Sequence, residues 1–227
     1  PLEIQYRDYA LWQRERESSE QLRQQYHNWQ QQLVDLPPGH YLPTKARGEQ
    51  RGKLGLYRSV QAGRLCQSLK ECLSKYQITP FMLCHGVLSL LLAKHSHCDD
   101  IVIGTAVANR LAEETQMLIG FFVNTLVLRV DVSDSDLAQY LQRVKSSNLF
   151  AQANQEACYE RLVEQLDQLG SRSLFQIMLT QNQRFGQGVE LDQMQLQGAE
   201  LTLLQAQSGR AKFDLQLDFS FTDDQLV

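Results

Sequence analysis

A thiol beside an imidazole is the strongest nucleophilic pairing in this sequence, and it occurs at Cys84-His85. Both residues fall in an apolar stretch that reads as helix, where neighbours point about 100° apart. They cannot form a Cys–His dyad with each other. His85 would need a positioned partner to act as a base, so it reads as a core or groove-lining histidine. His95, His97, Cys98 and Asp99 crowd the end of the same stretch. Two imidazoles at i, i+2 beside one thiol, with no second ligand cluster, do not make a zinc site. Histidines at a helix C-terminus are instead favoured by the dipole. Gly186-Gln187-Gly188 lacks the strand-to-helix context of a phosphate loop and reads as a hairpin turn. No Gly-x-Ser-x-Gly elbow is present. No catalytic residue and no metal ligand is therefore assigned.

One segment asks for more explanation. From Ile119 to Arg129 a Gly precedes a strand that opens with two aromatics and continues Asn-Thr. By parity Asn124 shares its strand face with Phe122, Leu126 and Leu128. A polar amide on an apolar face needs hydrogen-bond partners or a cavity. Bonding to nearby backbone and lining a cavity both remain open.

The elements that must position these residues follow from periodicity. The first 35 residues read as two Gln-rich helices broken near Ser18-Ser19, since Ser is a good N-cap. Pro37-Pro38-Gly39 ends them, and 36–52 reads as a loop. A strand is expected over Leu54–Gln61. A helix with Leu65, Leu69, Cys72, Leu73 and Tyr76 on one face follows. Thr79-Pro80 starts the next helix, which runs to about His97 and is apolar on most sides. A short buried strand is predicted at Ile101–Gly104 and a longer one at Phe121–Val132. Ser133-Asp134 is the predicted cap of a helix lined by Leu137, Tyr140, Leu141 and Val144. Another helix carries Tyr159, Leu162, Val163, Leu166 and Leu169. Strict alternation of Phe213, Leu215, Leu217, Phe219 and Phe221 with polar residues predicts a half-buried strand, with Phe175–Thr180 and Glu200–Ala206 as partners. The fold class is α+β, with a mixed, mostly antiparallel sheet and helices packed on it.

Composition narrows the function classes. With 227 residues and 43% hydrophobic content the chain can bury a core, which excludes wholesale disorder. A net charge of −4 excludes a strongly basic nucleic-acid binder. No apolar run approaches the roughly 20 residues that span a membrane. Five cysteines without a CxxC pair suggest reduced thiols, and a cytoplasmic location is expected. The chain opens on Pro1 and reads as a piece of a longer polypeptide.

The Ile119–Arg129 segment resembles a signature of the condensation domains of nonribosomal peptide synthetases, Ile-Gly-x-Phe-Val-Asn-Thr followed by a hydrophobic pair and Arg. Other blocks agree in order and spacing. Tyr6–Trp12 is similar to the family's Tyr-x-Asp-Phe/Tyr-Ala-x-Trp block, and Leu42-Pro43-Thr44 to its Leu-Pro-Thr-Asp element, with Lys45 replacing Asp. Gly104–Arg110 resembles the Gly-Thr-x-x-Ala-Asn-Arg loop. Asn154–Glu160 corresponds to a His-Gln-Asp-x-Pro-Phe-Glu block that keeps Gln155 and Glu160 but has Asn154, Glu156, Cys158 and Tyr159 elsewhere. Arg172–Gln176, with Phe175, resembles an Arg-x-Pro-Leu-Phe-Gln block without its Pro, and Lys212–Leu215 the late Lys-Phe-Asp-Leu strand. Ala112 stands where a second Arg is common.

The resemblance implies a lobe of chloramphenicol-acetyltransferase-like fold spanning 1–227: leading helices over 1–35, a loop over 36–52 and an α/β lobe from 53 onward. The family's catalytic His-His-x-x-x-Asp-Gly motif lies before the Tyr-x-Asp block, and none of the five histidines here is paired with another. The implied identity is the C-terminal lobe, inactive by itself, of a domain that joins a donor thioester to an acceptor amine. The resemblance further implies that Asn109, Arg110, Gly120, Phe121, Phe122, Asn124, Thr125 and Arg129 line the substrate tunnel or bridge the lobes. Arg110 and Arg129 could hold phosphate or carboxylate groups, or form structural salt bridges. Tyr6, Asp8, Trp12, Gln155, Glu160, Arg172 and Phe175 are motif residues with structural roles, Asp8 and Trp12 anchoring the first helix.

The implied partners are the N-terminal lobe, donor and acceptor carrier proteins and an adjacent adenylation domain, with no nucleic acid and no membrane. No cofactor binds directly, and the substrates ride on the carriers' phosphopantetheine arms. Within the family the motifs resemble the amide-forming type joining an L-donor to an L-acceptor. A non-catalytic docking module for carrier or adenylation domains is the alternative. A trimeric acetyltransferase using coenzyme A lacks its late catalytic His block.

Overall fold

Ser19 caps the second helix three residues after the first one stops, and that junction sets the N-terminal layout. In the computed structural model, which describes residues 3–37, 39, 55, 57, 59–133, 136–166, 173–181, 211–221 and 225–226, α1 spans Tyr6–Arg16 and α2 spans Glu20–Gln32. Ser19 Oγ accepts from Leu22 N at 3.3 Å, satisfying one free amide of the α2 N-terminus. Asp8 does the same for α1, taking Gln5 N at 2.8 Å in a capping box. α1 buries no residue, whereas α2 buries Leu22, Gln25, Tyr26 and Trp29.

β1 (Gln61–Ala62) precedes α3 (Arg64–Tyr76) and α4 (Pro80–Ser96). Thr79 caps α4 with Pro80 in its first turn, as the sequence predicts, and His97 closes it in a left-handed conformation. β2 (Asp100–Val107) and β3 (Asn124–Asp131) follow. β2 runs three residues past the predicted strand because its partner is long enough to pair the whole of it, from Asp100 opposite Asp131 to Val107 opposite Asn124. β3 starts at Asn124, not at the predicted Phe121, since the aromatic pair belongs to the preceding loop.

α5 (Leu137–Ala153) is capped by Asp136, whose carboxylate takes Gln139 N at 2.8 Å. The predicted cap Ser133 instead bonds Asp131, whose carboxyl group is held low chiefly by the Ser133 backbone N–H, and Asp134 lies outside the described residues. Leu137 is exposed, while Tyr140, Leu141 and Val144 are buried as predicted. α6 (Tyr159–Gln165), β4 (Ile177–Gln181), β5 (Leu215–Phe219) and β6 (Gln225–Leu226) complete the described elements. Of the strand predicted over Leu54–Gln61 only Gln61 is in a strand, β1, while the described Gly55, Tyr57, Ser59 and Val60 are not. The predicted strand at Glu200–Ala206, the Gly186–Gly188 turn, Leu42–Thr44, Leu169 and Arg172 fall outside the described residues.

The main sheet has strand order β3-β2-β4-β5, and β1 pairs with β6. The sheet is mixed, as expected. β2–β3 is its long antiparallel ladder, while β2–β4 and β4–β5 are parallel. The antiparallel majority thus holds for ladder length and not for the number of joins. One core cluster packs Ile101, Ile103 and Val130 with Leu88 and Leu92 of α4 and Tyr140 and Val144 of α5. A second packs Val102 and Val127 with Tyr26 and Trp29 of α2, Leu162 of α6 and Phe175. Gly104 makes room for that second cluster: a Cβ there would overlap the Phe175 ring.

Candidate functional site

β2 and β3 are joined at their far end by residues 108–123, and this loop gathers most of the implied tunnel residues. Its ends are the paired Val107 and Asn124. Asn109 takes a left-handed backbone conformation, φ 51°, which Asn tolerates better than most residues. Its Oδ1 is buried without a partner, and the residue lines a narrow cleft with Tyr9, Trp12, Arg16 and Glu156. The Arg110 guanidinium lies 4.1 Å over the Phe122 ring and donates to Thr115 O. Gln116 Nε2 donates back to Arg110 O at 2.9 Å, and Thr115 Oγ1 donates to Ala112 O at 2.6 Å. The loop therefore closes on itself with its own polar groups.

α1 braces the loop from outside. Tyr6 Oη donates to Phe121 O at 2.8 Å. Gly120 sits directly against the Tyr6 ring, and a Cβ at this position would overlap Cδ2 and Cγ of that ring. Phe122 is 4% exposed, with its ring centroid 5.2 Å from that of Tyr6 in an edge-on pose and 4.6 Å from that of Tyr9. Phe121 faces the other way and is 76% exposed, Ile119 is 96% exposed and Met117 76%. Leu111 and Val123 extend the same exposed apolar run along the sequence. Five exposed large apolar residues in one loop are what a surface built for a partner would present. Trp12 is partly exposed, with the Arg16 guanidinium 4.8 Å over its ring.

Asn124 has a different job. Its Nδ2 donates to Gln155 O at 2.7 Å and Ala157 O at 2.8 Å, and its Oδ1 accepts from Thr125 N at 2.9 Å and Tyr159 N at 3.3 Å. Of the two openings left by the sequence, the amide takes bonding to nearby backbone. It fastens the first residue of β3 to the turn between α5 and α6. Thr125 pairs with Ala106 beside it. The same turn is gripped by α2: Trp29 Nε1 donates to Asn154 O at 2.8 Å, Glu156 N donates to Gln25 Oε1 at 3.1 Å, and Cys158 N donates to Tyr26 Oη at 3.1 Å. Glu160 accepts from the Cys158 thiol at 2.9 Å.

Arg129 stands five residues along β3 from Asn124, about 17 Å away at strand spacing. Its fork meets Asp100, with Nη2 to Oδ2 at 2.7 Å and Nε to Oδ1 at 3.0 Å. Nη1 donates to Gln32 O at 2.9 Å and Val34 O at 2.7 Å, the open carbonyls at the end of α2. The predicted choice between anion binding and a salt bridge goes to the salt bridge for Arg129. For Arg110 the geometry gives a ring contact and a carbonyl bond. Phe175 is buried between Tyr159 and Phe213, with ring centroids 5.7 Å away on either side. Sequence reasoning did not foresee the exposure of Leu111 and Met117, nor the hydrogen bond from Tyr6; no spacing rule signals either.

The groups with reactive potential sit elsewhere. His85 is fully buried; Asn148 Nδ2 lies 2.9 Å from its Nδ1, and Nε2 has no partner. Burial lowers its pKa from 6.5 to about 4, so it is neutral near pH 7. Burial raises the neighbouring Cys84 thiol to about 11, which leaves it protonated and unreactive. Among the described residues, no three His, Cys, Asp or Glu side chains converge as a metal cluster would require. No single described helix is long and apolar enough to cross a membrane.

Comparison with known proteins agrees with the motifs. The family model for the condensation domain matches residues 1–227, and the chain belongs to that family. It is 34% identical to malpibaldin synthetase of Mortierella alpina over 232 residues, covering 100% of this chain and 4% of that protein. The cyclosporin synthetase of Tolypocladium inflatum is 33% identical over 230 residues, with 100% and 2% covered. The dimodular nonribosomal peptide synthase of Bacillus subtilis (strain 168) is 35% identical, with 97% and 10% covered. The chain thus spans a small part of the curated relatives it matches.

Solved structures share the fold. The X-domain from teicoplanin biosynthesis superposes with a TM-score of 0.74 at 21% identity, covering 100% of this chain and 53% of that one. The first condensation domain of the calcium-dependent antibiotic synthetase, in complex with a substrate analogue, gives 0.69 at 15%, covering 94% and 48%.

Proposed function

We propose that this chain is the C-terminal lobe of an amide-forming condensation domain. In that reading the 108–123 loop meets the N-terminal lobe beneath the active site, with Phe121 and Ile119 as its contact residues. The carrying observation is the exposed apolar face of a loop held rigid by its own bonds: a surface shaped in advance for a partner. Its support from the comparisons is that the chain covers about half of each solved domain cited above. The acid–base histidine belongs to the other lobe. This lobe supplies a wall and a floor, and Asn109, Arg110, Gly120 and Phe122 shape that floor. Asn124, Thr125 and Arg129 act from behind it, holding the strand in place.

The donor and acceptor arrive as thioesters on the phosphopantetheine arms of two carrier proteins. An adenylation domain adjoins the lobe, and the assembly works in the cytoplasm. The amine of the acceptor attacks the donor thioester carbonyl, the amide bond forms and the donor thiol leaves. Alone, this chain makes no product.

The test is reconstitution. This chain is mixed with the preceding lobe and two loaded carriers, and products are read by mass spectrometry. Condensed product in the mixture and none with either half alone is the expected result. Carrier binding by this chain, without product in the mixture, would instead favour the docking module. Product from this chain alone would contradict the reading.

A further inference from the structure

α1 makes its polar contacts with the rest of the molecule at its two ends. At its start, Tyr6 bonds Phe121 O and lies against Gly120. At its finish, Arg16 pairs with Glu156 at 3.0 Å and Glu17 with Arg161 at 2.6 Å. Between these ends no residue is fully buried, and the half-buried Tyr9, its ring 4.6 Å from that of Phe122, adds a third contact with the loop. Eleven residues of helix make a rod of about 16 Å. Glu156 lies in the turn that Asn124 grips through Gln155 O and Ala157 O. Phe121 is three residues before Asn124 in the chain. The contacts therefore close a circuit, from loop to α1, from α1 to the α5–α6 turn, from the turn to Asn124, and back to the loop.

We propose that Tyr6 and Gly120 are positioning residues for condensation: through this circuit α1 fixes the outward pose of Phe121 on the loop that meets the other lobe. The inference rests on the proposed function for its catalytic consequence and on geometry alone for the circuit. Gly120 serves by its missing side chain rather than by backbone freedom, since its φ is not among the positive ones. Tyr6→Phe removes one hydroxyl and keeps the ring. Gly120→Ala pushes the ring away.

The test uses the complete condensation domain containing this chain. Two readouts are taken, steady-state condensation and amide hydrogen exchange across residues 117–123. Tyr6→Phe should lower kcat about tenfold, the scale on which small misplacements act. KM for either loaded carrier should stay within about twofold, because uniform binding is untouched. Exchange across 117–123 should quicken while the core strands keep their protection. Gly120→Ala should move both readouts further in the same direction. Unchanged exchange in Tyr6→Phe overturns the circuit, and faster exchange with unchanged kcat overturns the positioning role. A loss of kcat that merely follows a fall in Tm also overturns it, since that is what a plain structural residue would give. If the unmodified domain makes no product, the proposed function has failed, and the exchange readout still decides the circuit.

Discussion

The eleven residues from Ile119 to Arg129 form one continuous motif, yet its two halves work in opposite directions. Ile119 and Phe121 point out and are left bare, while Asn124, Leu126 and Leu128 point in and are buried. The outward half is fixed by what surrounds it: the Tyr6 hydroxyl, the Arg110 guanidinium, and a glycine that lets a ring come close. The inward half is fixed by what it holds: a turn at Asn124 and the end of α2 at Arg129. A motif residue can thus be indispensable for shape in one half and for contact in the other. Substitutions should separate the two.

The largest stability effect is expected at Asn124. Asn124→Ala leaves two carbonyls and two amides without their partner and should cost about 3 kcal/mol in chemical denaturation. Asn124→Asp should be no better, because its second oxygen would face Gln155 O and Ala157 O, both within 2.8 Å of the present nitrogen. A mild effect for the Asp variant would break the comparison by showing that the turn can find other partners.

Arg129→Met comes next, at about 2 kcal/mol. It leaves Asp100 and the α2 carbonyls unpaired at a site only partly open to water, so the loss exceeds that of an exposed pair. The loss should also shrink in high salt less than a surface pair's would, which a melting series in sodium chloride reads directly. The smallest stability effect is expected in the outward half. Phe121→Ser and Ile119→Ser should change stability by less than about 0.5 kcal/mol. If the proposed function holds, they should nevertheless weaken association with the proposed N-terminal lobe by more than about tenfold, measured by calorimetry, as truncated interface anchors do. If Phe121→Ser unfolds the chain, the division between the two halves is wrong.

Much of the fold was legible because capping and periodicity are local. Ser19, Thr79 and Pro80 mark their helices by chemistry that acts over three residues. Alternation found β5, which covers Leu215–Phe219 of the predicted Phe213–Phe221, although Leu217 stays partly exposed where it opens onto a groove that nothing described fills. The split within the Ile119–Arg129 motif was legible in part: parity put Phe122 on the face of Asn124, Leu126 and Leu128, and Phe122 is buried with them while Phe121 is exposed. What stayed hidden was where β3 begins, since that is set by pairing with Val107, 17 residues upstream of Asn124. The role of Tyr6 was equally hidden, since its partner lies 115 residues away. Arg129 was readable only as a fork in search of an anion; finding Asp100 required the antiparallel register.

The groove between α3 and α4, closed on one side by Leu217 and Phe221, is lined by Leu65, Leu69, Leu73, Leu83, Val87 and Leu91, with a volume of about 260 Å³. Among the described residues, Cys84 is the one lining side chain that is not a hydrocarbon, and its thiol is protonated. Environment-sensitive naphthalene dyes seek such a surface in partly folded proteins, and here the folded chain offers it. Bright dye emission from this chain at room temperature would therefore be expected of its native state, and melts should be followed by circular dichroism rather than by dye.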